Sequence, residues 1–115
     1  MTPAETEAVA HRFLRAYAAK DLDTIAGLLA DDVVLRDWNL EVRGRDAVLA
    51  ETQRNFDDAD TIAIEILQLH ATAHSVAAEV LITVDSSIRL RVVDVLDVDA
   101  NGQVTAVRSY KGLEP

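Results

Sequence analysis

The chain has 115 residues, half of them hydrophobic, with no cysteine and a formal net charge of −9. That length favours one domain over 1–115 with a real core. The composition is not that of a disordered chain, and the missing cysteines exclude disulfides, thiolate metal sites and cysteine nucleophiles. The acidic balance argues against nucleic-acid and anionic-membrane partners, because both repel a negative surface.

In chain order, Thr2-Pro3-Ala4-Glu5 is a helix start, with a cap, a proline at the first helical position and a glutamate placed to close a capping box. The helix is expected to run to about Lys20, with Val9, Phe13 and Tyr17 on one face. Asp21 caps a second, shorter helix whose apolar side is Ile25, Leu28 and Leu29. Residues 31 to 38 (DDVVLRDW) read as a strand and 40 to 44 (LEVRG) as a short partner ended by Gly44. Residues 45 to 57 have helical character, with Val48, Leu49, Thr52 and Phe56 facing inward.

Beyond residue 60 the pattern changes to long strands over 60 to 71, 75 to 85, 87 to 99 and 103 to 111, separated by short polar turns such as DANG (99 to 102). In the first of these the apolar phase Ile62, Ile64, Ile66 switches to Leu67 and Leu69, which predicts a β-bulge and a curved sheet. The order implies an α+β fold with helices packed on one face of a curved mixed sheet, a shape that can enclose an apolar cavity.

The strand IRLRVVDVLDV (88 to 98) carries one discordant letter: Asp94 shares its period-two phase with Ile88, Leu90, Val92, Leu96 and Val98. A carboxylate on that face is either buried in a cavity, turned outward by a bulge, or paired with an arginine such as Arg108. Without a cation, burial favours its neutral, hydrogen-bond-donating form.

The stretch FLRAYAAKDLDTIAGLLADDVVLRDWNLEVRGRDAV and the later VVDVLDVDANGQVTAVRSY resemble the opening and the last hairpin of nuclear transport factor 2-like proteins, in the SnoaL-like and ketosteroid-isomerase-like branch. The resemblance implies a cone-shaped sheet crossed by three helices. It also implies a cofactor-free proton transfer next to a carbonyl in a small apolar substrate. Asp37 falls where ketosteroid isomerases carry the general base, and Asp94 where they carry the acid that binds the developing oxyanion. The family's tyrosine position is occupied by Phe13, and Tyr17, one helical turn later, is the substitute donor. Phe13, Trp38, Val92 and Leu96 are expected to line the cavity.

The epoxide-hydrolase-like relatives of the same fold place an arginine two residues before one aspartate, where this chain has Val92, and a second aspartate near Ser109. The competing function is a non-catalytic module of the same fold that binds a hydrophobic molecule or dimerises. The face of the Asp94 strand carrying Arg89, Arg91, Val93 and Val95 is the expected homodimer surface. His70 and His74 flank a turn and do not converge as metal ligands, and no phosphate-cradling glycine motif occurs. With no signal-like N-terminus and no apolar run long enough to span a membrane, the expected location is cytoplasmic.

Overall fold

A computed structural model describes residues 1–114. The elements are α1 (Pro3–Ala18), α2 (Leu22–Leu28), β1 (Leu29–Arg36), β2 (Glu41–Arg43), α3 (Arg45–Asp58), β3 (Ile62–Ala71), β4 (Ser75–Val84), β5 (Ile88–Val98) and β6 (Val104–Lys111). The strands form one curved sheet in the order β2-β1-β6-β5-β4-β3, with β1 and β6 parallel and every other pair antiparallel.

Local chemistry sets the helix starts. The Thr2 side chain accepts from the Glu5 backbone N–H while Glu5 accepts from that of Thr2, which closes the expected capping box. Asp21 caps α2 by accepting from the Thr24 N–H, and the Thr24 hydroxyl donates to its other oxygen at 2.6 Å. Gly44 stands before α3 at φ +91°, a conformation that glycine adopts without steric cost.

Val9, Ala10, Phe13 and Leu14 of α1 are buried, and α1 packs over β3 and β4. The Thr6 hydroxyl donates to the Thr72 carbonyl at 2.7 Å, tying this helix to the β3–β4 turn. Ile25, Leu29, Val33, Val76, Val80, Val92, Leu96 and Val104 are fully buried between the layers. Each such side chain stabilises the fold by roughly 1.5–3 kcal/mol.

Three bulges shape the sheet. The one between Ile66 and Gln68 lies where the phase switch predicts it, and Leu69 and Ala71 resume the inward side. Leu67 does not: it is the inserted residue and points outward, 40% exposed. A second shift falls in the β1–β6 ladder between Leu29 and Val34. The third lies between Asp97 and Val98, where Val98 pairs with Val104 but Asp97 pairs with Ala106, leaving Thr105 as the extra residue.

The first strand differs from expectation at both ends. It starts at Leu29, directly after α2, and stops at Arg36 instead of running through Trp38. It stops because the Asp37 side chain folds back onto the following backbone, which ends the ladder in a tight turn. The end of α1 agrees with expectation: the helix stops at Ala18 and the chain turns at Lys20, which takes a positive φ of 55°.

Candidate active site

The curved sheet and the three helices leave a hollow of about 340 Å³. Its floor is aliphatic: Ile62 and Ile64 of β3, Ile82 and Val84 of β4, and Leu90 and Val92 of β5. Phe13, Leu14 and Tyr17 of α1 and Val48, Thr52 and Asn55 of α3 cover it. Leu35, Asp37, Trp38, Asp94, Val107 and Ser109 close the remaining side.

Asp94 lies on the inner face, 8% exposed, between Val92 and Leu96 along its own strand. Burial pushes its carboxyl group up from the ordinary 3.8 to about 6, and a hydrogen bond from Ser109 opposes part of that rise. That bond, from Ser109 Oγ to Asp94 Oδ1, is 2.5 Å long. Among the described residues no cation pairs with Asp94.

The third bulge decides this partnership. Counting back symmetrically from the Val98–Val104 pair would set Arg108 opposite Asp94. The extra residue shifts the ladder by one, so Asp94 faces Ser109 and Arg108 turns to the outer face. There Arg108 makes a bidentate pair with Asp97 at 2.6 and 3.1 Å. The alternative in which Arg108 neutralises Asp94 is therefore overturned.

Asp37 is half-buried at the mouth, just past the end of β1. Its Oδ1 accepts the backbone N–H groups of Asn39 at 2.7 Å and Leu40 at 3.0 Å. Its Oδ2 accepts no hydrogen bond among the described residues and is free for a proton. Tyr17 packs edge-on against Phe56, with ring centroids 5.0 Å apart. The Tyr17 hydroxyl accepts from Asn55 Nδ2 at 3.1 Å, so its own proton remains available to a ligand. Burial raises the Tyr17 pKa, with smaller contributions from the charges of Asp94, Asp37 and Glu51.

Of the residues singled out from the sequence, Asp37, Asp94, Tyr17, Phe13, Trp38 and Val92 all border this hollow. Leu96 does not. It shares the phase of Asp94 but is 1% exposed within the core, where the helices close on the sheet beyond the end of the cavity.

Ser109 and Asn55, which bond the acidic groups of Asp94 and Tyr17, were not anticipated. Ser109 is legible only once the bulge is known. Asn55 could have been found from its place on the polar flank of α3, one turn from Thr52 and on the side of the helix that meets α1. His70 bonds Glu79 at 2.8 Å, and no cluster of three or more metal-ligating side chains occurs among the described residues.

Six strands curled around one hollow, with three helices across it, define a nuclear transport factor 2-like α+β protein. The SnoaL-like domain family matches residues 10–107, and the chain belongs to that family. It is 34% identical over 113 residues to the steroid Delta-isomerase of Nocardioides simplex, covering 93% of this chain and 89% of that protein. A candidate ketosteroid isomerase of Kribbella flavida superposes with a TM-score of 0.85 at 26% identity, over 98% of this chain and 83% of the other. An LEH-like epoxide hydrolase of M. tuberculosis shares the fold, with a TM-score of 0.83 at 23% identity, covering 96% and 84% of the two chains. No helix among the described residues is long and apolar enough to cross a membrane.

Proposed function

We propose that this protein is a cofactor-free isomerase that moves a proton between carbons next to a carbonyl in a small, largely apolar molecule. The observation that carries the reading is the pairing of two unlike carboxyl groups in one hollow. Asp94 is buried and lacks a cation, and Asp37 is partly hydrated and held by two backbone N–H groups.

The chemistry follows from those environments. Asp37 Oδ2 takes a proton from the carbon between the carbonyl and a β,γ double bond, and the released electron pair forms a dienolate. Asp94, in its neutral form, donates to the carbonyl oxygen as negative charge develops there, and the Tyr17 hydroxyl is a second donor. Asp37 then returns the proton at the γ carbon. The double bond ends in conjugation with the ketone, and no electron or atom is gained or lost.

At about 6, the Asp94 pKa leaves about one molecule in ten neutral at pH 7 in the free protein. An apolar ligand against Asp94 displaces water and pushes that pKa higher, so binding itself generates the acid. The Ser109 hydroxyl holds the carboxyl group in place through both states, since it donates to Asp94 Oδ1 whether or not the other oxygen carries the proton, which leaves that proton for the ligand.

The test is conversion of a β,γ-unsaturated 3-ketosteroid to its conjugated isomer, followed by the ultraviolet absorbance of the enone. The steroid substrate class rests on the similarity to the Nocardioides enzyme. Saturable turnover supports the reading. Ligand binding without turnover, for this and other β,γ-enones, would move the conclusion to a non-catalytic binding module.

A further inference from the structure

A second hollow, of about 510 Å³, is lined by Arg36, Asp37, Trp38, Arg108, Ser109, Tyr110 and Lys111. Asp37, Trp38 and Ser109 border both hollows, so the two adjoin at the mouth of the apolar cavity. Its charge is opposite to that of the molecule. The chain has eleven cationic residues against twenty acidic ones, yet Arg36, Arg108 and Lys111 line this groove beside a single carboxylate, Asp37.

Two features mark this as a built arrangement. Arg36 and Arg108 are direct partners across the parallel β1–β6 ladder, and like charges placed opposite each other destabilise a sheet. Asp97 neutralises Arg108, whereas Arg36 and Lys111 have no carboxylate partner among the described residues. In addition, Trp38 and Tyr110 flank these cations while 46% and 55% exposed, which is unusual for the only tryptophan and one of two tyrosines in the chain. Exposed aromatic faces beside unpaired cations suit an anionic group carried on a ring.

We propose that this groove holds an anionic substituent of a ligand whose apolar body occupies the neighbouring cavity. The ligand class is thereby an amphipathic anion: a ring system with a carboxylate, sulfonate or sulfate at the end that emerges past Trp38. The inference rests on the cavity being a ligand site and does not depend on the proton-transfer chemistry.

The test uses two probes that share an apolar body, anilinonaphthalene sulfonate and neutral N-phenylnaphthylamine, with binding read by energy transfer from Trp38. Transfer reaches across most of a molecule of 38 × 29 × 23 Å, so the signal reports bound probe and the double substitution below locates its anionic end. The sulfonate is expected to bind about five- to tenfold more tightly than the neutral probe, and the preference should fall with added salt. Arg36→Gln combined with Lys111→Gln should abolish the preference while leaving N-phenylnaphthylamine affinity and the circular dichroism spectrum unchanged. Equal affinities in the unaltered protein, or a preference that survives the double substitution, would overturn the proposal. Neither result depends on turnover, so the groove and the isomerase reading fail separately.

Discussion

Replacing Asp94 by asparagine should make the protein more stable at neutral pH and not at acidic pH. The unfolded chain ionises Asp94 near 3.8, whereas the folded chain holds the proton to about 6. Between those values the native state binds more protons than the unfolded state, so stability falls as pH rises. The stability conferred by the neutral acid is fully present below 3.8 and is lost as pH rises through about 6. The difference corresponds to about 3 kcal/mol, a large share of the stability of a domain this size. The amide introduced by Asp94→Asn would remain neutral at every pH and could donate to Ser109 Oγ.

The assay is urea unfolding of both proteins at several pH values between 3.5 and 8, an interval chosen to bracket those two pKa values. The stability difference between variant and parent cancels the titration of all other groups. It should grow by about 3 kcal/mol in favour of the variant from the acidic end to pH 7, then level off. A difference that is flat with pH, or that favours the parent at neutral pH, would refute the view that Asp94 is a buried, unpaired acid.

Other consequences follow from the same site. Binding of a neutral ketone at pH 7 should take up close to one proton per molecule, since about nine in ten free molecules carry an ionised Asp94; calorimetry in buffers of different ionisation enthalpy measures it, and no uptake would contradict ligand contact with this acid. Tyr17→Phe keeps the edge-on packing against Phe56 and should lower kcat on the order of a hundredfold, with thermal stability little changed. Leu96→Ala should cost about 2–5 kcal/mol in urea unfolding with little direct effect on ligand affinity, because Leu96 belongs to the core and not to the cavity wall.

Much of this architecture is written locally. The capping box at Thr2, the cap at Asp21, the phase switch after Ile66 and the DANG turn each report on residues within a few positions, and the elements follow closely. Asp94 was visible for the same reason: period two puts it in phase with Val92 and Leu96, and β5 carries no bulge between Val92 and Asp97 to turn it outward. Its partner was not visible, because register across a hairpin depends on whether the ladder gains a residue. One inserted residue, Thr105, exchanges Ser109 for Arg108 and so changes an ion pair into an isolated acid. Leu96 failed as a lining residue for a related reason. Strand phase tells which face a side chain takes, but where along that face the cavity ends is set by the helices above it.

Asp37 carries the central claim, and its substitution by asparagine tests that claim most directly. The side chain introduced by Asp37→Asn retains an oxygen for the Asn39 and Leu40 N–H groups, so the turn and the cavity persist, but it cannot accept a proton from carbon. Kinetics of enone formation and ligand affinity should be measured on the same preparations. The account predicts that kcat falls by at least about a thousandfold, the upper part of the range for loss of a general base, while affinity for a non-reactive ketone stays within about twofold. Turnover that survives the substitution, or a loss of affinity that accounts for the whole change, would contradict it.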